Sequence, residues 1–137
     1  MLPKRSLLRL ALLGCLAMTG AAAAQESYPT RPVTLVVPFP AGGSTDLVAR
    51  VVAERMTQEL GQQVIVENKG GAGGNLGSAS VAKADPDGYT ILMGTVATHA
   101  LNPAIYKKMP YNAVTDFAPI SLLVTVPNVL VVNNDLP

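Results

Sequence analysis

The chain has 137 residues, 49% of them hydrophobic and 14% charged, which excludes a disordered polyelectrolyte and leaves room for one ordinary domain. Its net charge of +1 arises at the amino terminus, where residues 1–24 hold Lys4, Arg5 and Arg9 and no acid; the remaining seven basic and nine acidic residues net −2. That balance gives no basic footprint for nucleic acid, and one cysteine, Cys15, with one histidine, His99, excludes a zinc cluster and a disulfide framework.

Lys4, Arg5 and Arg9 precede an apolar stretch from Leu10 to Met18, and small residues follow to Ala24. This is the pattern of a secretory signal peptide over 1–24, with Ala22 and Ala24 as its A-x-A cleavage residues and Gln25 as the mature start. The apolar run falls short of the ~20 residues that span a bilayer. Leu12-Leu13-Gly14-Cys15 faintly resembles a lipoprotein signal, but Leu13 is bulky for its position and the residues after Cys15 are apolar.

Val33 to Val37 is a continuous β-branched run stopped by Pro38, the pattern of a buried parallel strand. After the loop 38–44, apolar Leu47, Val48, Val51, Val52, Met56 and Leu60 recur at spacings of three and four, which predicts an amphipathic helix that stops at Gly61. The cycle repeats with a strand at Val64 to Val66, a glycine-rich loop from Lys69 to Gly74 and a small-residue helix from Leu76 to Ala84. Asp85-Pro86-Asp87-Gly88 is a turn signal. A third strand is expected from Tyr89 to Thr95, a short helical piece between Thr98 and Tyr106, and further strands at Ile120 to Val126 and Val129 to Val132. Alternating strands and helices predict an α/β fold, an open sheet with right-handed crossovers.

In such sheets a ligand sits beyond the carboxyl ends of the strands, where helix N-termini offer unpaired N–H groups and partial positive charge to an anion. Gly42 and Gly43 let a ligand approach the main chain, and Ser44 or Thr45 caps the first helix or binds a carboxylate. Asp46 reads as a favourable first-turn acid before it reads as a ligand contact, because it repels an anion that lacks an amine or hydroxyl. The segment Gly70 to Gly77 fails the G-x-G-x-x-G spacing at Leu76 and follows the second strand instead of the first. No Walker loop occurs. Thr95, Thr98, His99 and Asn102 follow the third strand and can face the same crevice. There is no Ser/His/Asp set, no carboxylate pair at the crevice and no cysteine nucleophile in the mature chain, so a hydrolase has no residues to stand on. An aromatic content of 4% argues against a sugar-stacking site.

Tyr28-Pro29-Thr30-Arg31-Pro32-Val33, Val37-Pro38-Phe39-Pro40-Ala41-Gly42-Gly43-Ser44-Thr45-Asp46, Val66-Glu67-Asn68-Lys69 with the glycines and Asn75 behind it, and Asp85-Pro86-Asp87-Gly88-Tyr89-Thr90 stand in an order that resembles the tripartite tricarboxylate transporter substrate-binding family, also called Bug proteins. The resemblance implies a periplasmic-binding-protein-like receptor of two α/β domains that closes on a carboxylate-bearing metabolite and delivers it to the membrane subunits of a transporter, without a cofactor. It implies ligand contacts at Ala41, Gly42, Gly43, Ser44 and Asp46, then Gly73 and Asn75, with Thr95, Thr98, His99 and Asn102 beside them. Family members are more than twice as long, so residues 25–137 are expected to be the N-terminal part of the first domain, without the second domain and the returning segment. Two other readings are a receptor for a membrane sensor kinase and an exported enzyme fragment that binds a nucleotide or phosphate at the same loops.

Overall fold

Three parallel strands in the order β2-β1-β3 carry the fold: β1 (Val33–Val37), β2 (Val64–Asn68) and β3 (Thr90–Leu92). The computed structural model describes residues 28–127 and 129–135; the expected signal peptide over 1–24 and Cys15 lie outside them. Residues 31 onward form one compact unit, and the description below concerns that unit.

β1 is central because it is apolar on both faces. Val33, Leu35 and Val37 are buried against Ala49 and Ala53 of α1 (Ser44–Leu60), with Val64 and Met93 completing the cluster, while Val36 is fully buried on the other face. Each such side chain removed from water contributes ~1.5–3 kcal/mol. From β1 the chain crosses to β2 on one side, then returns past β1 to β3 on the other. With both crossovers right-handed, that reversal puts α1 and α2 (Asn75–Ala82) on opposite faces of the sheet. The carboxyl ends of β1 and β3 are therefore the topological switch point, where a crevice opens.

The first cycle follows the sequence pattern closely. α1 ends at Gly61 in the left-handed conformation (φ +67°), whose N–H donates to Thr57 O at 3.1 Å. The Thr57 hydroxyl donates to Ala53 O at 2.8 Å and accepts the Val64 N–H at 2.9 Å, which ties the end of α1 to the start of β2. At the opposite end of α1 the expectation needs correction: Gly43 is the N-cap, Ser44 is already helical, and neither Ser44 nor Thr45 makes a side-chain capping bond. Asp46 supplies the local acceptor instead.

β3 is shorter than the span expected from Tyr89 to Thr95. Its pairing extends through Thr34 N–H to Tyr89 O and Met93 N–H to Val36 O, then stops because the Thr98 hydroxyl captures the Thr95 N–H at 3.0 Å. A wide π-type turn (Ala97–Leu101) and α3 (Asn102–Ile105) follow. The two further strands expected at 120–126 and 129–132 do not form among the described residues, where Ile120, Leu122, Leu130 and Val131 are exposed. β-branched composition reports suitability for a pleated, half-buried surface, but a strand exists only where a neighbouring edge accepts its hydrogen bonds.

One buried side-chain oxygen is left without a partner among the described residues, the hydroxyl of Ser78 on α2. Desolvating a hydroxyl without a hydrogen bond costs ~1–3 kcal/mol. A Ser78→Ala variant is therefore expected to be more stable than the parent by about 1 kcal/mol in urea titration. Equal or lower stability would show that this hydroxyl is satisfied in solution.

Candidate functional site

The loops after all three strands meet at Gly74. A β-carbon built on this glycine would lie 2.7 Å from Thr98 Cγ2, 3.3 Å from Phe39 Cζ and 3.4 Å from Pro38 O, so segments following β1, β2 and β3 touch where a side chain has no room. Its φ of +94° independently favours glycine. Gly77 performs a similar service one turn later, since a β-carbon there would lie 2.5 Å from Lys69 O and 2.9 Å from Pro38 Cα.

Ala41, Gly42, Gly43 and Ser44 are exposed beyond the carboxyl end of β1. They lead into the first turn of α1, whose opening N–H groups have no carbonyl four residues back to bond. Asp46 lies just inside this turn, 2% exposed, and its carboxylate is fully engaged. One oxygen accepts from Arg50 Nε at 3.0 Å and from the Gly42 N–H at 2.9 Å; the other accepts from Asn68 Nδ2 at 2.9 Å. Asn68 Nδ2 also donates to Phe39 O at 3.1 Å. The Arg50 guanidinium, the Gly42 N–H and the Asn68 amide, in that order, hold the Asp46 carboxyl down from 3.8 to about 2, against a smaller opposing effect of burial. Asp46 thus braces the loop from behind, with its charge turned toward Arg50.

A second network ties the remaining candidates together. Asn102 Nδ2 donates to Gly73 O and to Asn75 Oδ1, both at 2.8 Å. The Tyr111 hydroxyl donates to Thr98 O at 2.6 Å and lies 3.1 Å from Asn75 Oδ1. The Thr98 hydroxyl donates to Thr95 O at 3.1 Å and lies 2.8 Å from His99 Nδ1. His99 stacks edge-on against Phe117 at 4.9 Å, and Phe117 against Tyr111 at 5.5 Å. Burial lowers the imidazole pKa, and the bond with the Thr95 backbone offsets this in part.

The eleven residues expected from sequence thus fall into two kinds. Ala41, Gly42, Gly43, Ser44 and Gly73 present main chain at the surface, whereas Asp46, Asn75, Thr98 and Asn102 are buried polar groups that hold that main chain in place. Thr95 and His99 are half-buried between them. Sequence reasoning missed Arg50, Asn68, Gly74 and Tyr111. Asn68 had a usable signal, because it ends β2 on the edge where the loops meet; Tyr111 had none, being brought in by tertiary packing alone. Chemically, an exposed glycine pair at a helix N-terminus, with its own acid neutralised from behind, attracts an anion.

The sequence model of a family described as the tripartite tricarboxylate transporter family receptor matches residues 48–137. A UPF0065 protein of the TAR-I ttuE-ttuC' intergenic region in Agrobacterium vitis is 51% identical over 115 residues, which cover 84% of this chain and 33% of that protein. Among solved structures, the periplasmic binding protein BugD is 51% identical with a TM-score of 0.62, over 68% of this chain and 31% of its own. MatC from Rhodopseudomonas palustris with bound malate is 46% identical with a TM-score of 0.68, over 70% of this chain and 33% of its own. The chain spans about a third of the length of these relatives.

Proposed function

The chain belongs to the tripartite tricarboxylate transporter receptor family, and from that premise we propose that it is a periplasmic solute-binding protein which takes up a small organic carboxylate for the membrane subunits of such a transporter. The observation that carries this reading is the exposed turn Gly42-Gly43-Ser44 opening α1 at the carboxyl end of β1, braced from behind by Asp46. A carboxylate placed there accepts main-chain N–H bonds of the charge-assisted kind, each worth ~1.5–3 kcal/mol. The protein acts as a receptor, without a cofactor, and malate, the ligand seen in MatC, is the first solute to try.

Gly43→Val tests the site without disturbing the fold. Gly43 has φ −79°, which a valine adopts, and a β-carbon there meets nothing nearer than Pro40 O at 3.8 Å. The added side chain stands where the carboxylate must approach. Titration calorimetry with malate and a panel of mono-, di- and tricarboxylates is expected to show affinity falling at least ~10-fold, the worth of one lost bond of this kind, with the melting temperature unchanged. Unaltered affinity in the variant, or no binding of any carboxylate by the parent, would overturn the reading.

A further inference from the structure

The turn at Gly42 and Gly43 is held by a side chain of a different strand. Asn68 ends β2 in register with Val37, the last residue of β1, where the chain leaves the sheet for the loop 38–43. Its Nδ2 donates to both limbs of that loop: to Phe39 O at 3.1 Å on the way in, and to Asp46 Oδ1 at 2.9 Å on the way out. The other Asp46 oxygen accepts the Gly42 N–H at 2.9 Å. Entry, middle and exit of the loop thus share one hydrogen-bonded chain that starts on Asn68.

Three neighbours fix which way this amide faces. A carbonyl and an ionised carboxylate only accept, so the atom shared by Phe39 O and Asp46 Oδ1 is the nitrogen. The Arg50 guanidinium only donates, so the atom 3.3 Å from its Nη2 is the oxygen. Both hydrogens of Nδ2 are therefore committed, and position 68 calls for a double donor. The sheet makes no such demand, because the ladder there is tied by main chain, as by Lys69 N–H to Val37 O at 2.8 Å.

We propose that Asn68 is a positioning residue for solute binding: acting through Phe39 and Asp46, it sets the main chain of Gly42-Gly43-Ser44 before a carboxylate arrives. The proposal rests on the reading of that turn as the carboxylate site. A turn already ordered binds without the entropic cost of ordering it, so loss of the setting is felt in affinity.

The test compares Asn68→Asp with Asn68→Ala, by calorimetry with malate and by NMR hydrogen exchange of the solute-free ¹⁵N-labelled chain. Asparagine and aspartate match in shape, so a residue that only fills space tolerates aspartate and suffers more from alanine. A positioning donor gives the opposite order. Alanine loses the two bonds, whereas aspartate loses them and also sets a second carboxylate against Asp46 and the Phe39 carbonyl. The Kd for malate is expected to rise ~3–10-fold in Asn68→Ala and more than ~10-fold in Asn68→Asp. Exchange of the Gly42 N–H is expected to quicken at least ~5-fold in both, while the Gly61 and Met93 N–H groups, bonded to Thr57 O and Val36 O, keep their rates. Malate affinity in Asn68→Asp equal to the parent's, a larger loss in Asn68→Ala than in Asn68→Asp, or an unchanged Gly42 rate would each overturn the assignment. A parent that binds no carboxylate would overturn the function of the turn itself, and Gly42 exchange, which needs no solute, reports separately whether Asn68 holds it.

Discussion

Gly74→Ala is expected to lower the unfolding free energy by about 2–4 kcal/mol. Two independent costs combine. Holding alanine at φ +94° costs ~1–2 kcal/mol, and forcing a β-carbon to 2.7 Å from Thr98 Cγ2 and 3.3 Å from Phe39 Cζ adds ~1–3 kcal/mol of overpacking. Gly42→Ala separates the two, because Gly42 has φ +87° but nothing within 4 Å of its missing β-carbon. Urea unfolding of both variants should therefore show the backbone cost alone at Gly42 and the sum at Gly74. Equal losses would mean that the loops can part at Gly74 without penalty, and that their convergence there does not hold the site together.

The second large effect is on acid stability. The folded state holds the Asp46 carboxyl down to about 2 from an ordinary 3.8, so the native state favours its charged form. The stabilisation is present in full above about pH 4, and it is lost as the pH falls toward 2, where the folded protein too must take up the proton. Melting temperatures measured across this range should descend on the acid side. In Asp46→Asn the curve should start lower at neutral pH, since the amide cannot accept from Arg50, Gly42 and Asn68 together, and the descent below pH 4 should flatten. An acid limb equally steep in the variant would assign the loss to other carboxylates. The charged form acts on the turn at Gly42 and Gly43 through the Gly42 N–H bond of 2.9 Å, so solute binding should weaken over the same interval.

Much of the architecture could be read from residue spacing, for physical reasons that differ between elements. β1 was legible because a run of Val, Thr and Leu stopped by proline suits a strand covered on both faces. α1 was legible because its apolar residues repeat at three and four and Gly61 relieves a left-handed turn. The end of β3 was not, because a hydroxyl three residues beyond Thr95, that of Thr98, decides where the ladder stops. The stretch 120–132 misled because its β-branched residues state a preference and not a partner. At the site, the exposed glycines advertised themselves, but the brace behind them did not: Asp46 looked like an ordinary helix-entry acid until the fold brought Arg50 and Asn68 to both its oxygens. Tyr111 is the clearest case of information held only in three dimensions, since its hydroxyl links Asn75 and Thr98 from a loop with no motif of its own.

Tyr111 also gives the molecule an optical reporter. The chain has four tyrosines and no tryptophan, so its near-ultraviolet signal above the phenylalanine bands is a tyrosine signal. Tyr111 is buried, its phenol hydroxyl is 2.6 Å from a carbonyl, and its ring meets Phe117 nearly at right angles, conditions that fix a chromophore in an asymmetric setting. The dichroism band of the folded chain therefore includes a fixed contribution from a residue that stands between the loops after β2 and β3. Any event that loosens those loops, whether heat, acid or a solute, writes itself into that band without a label.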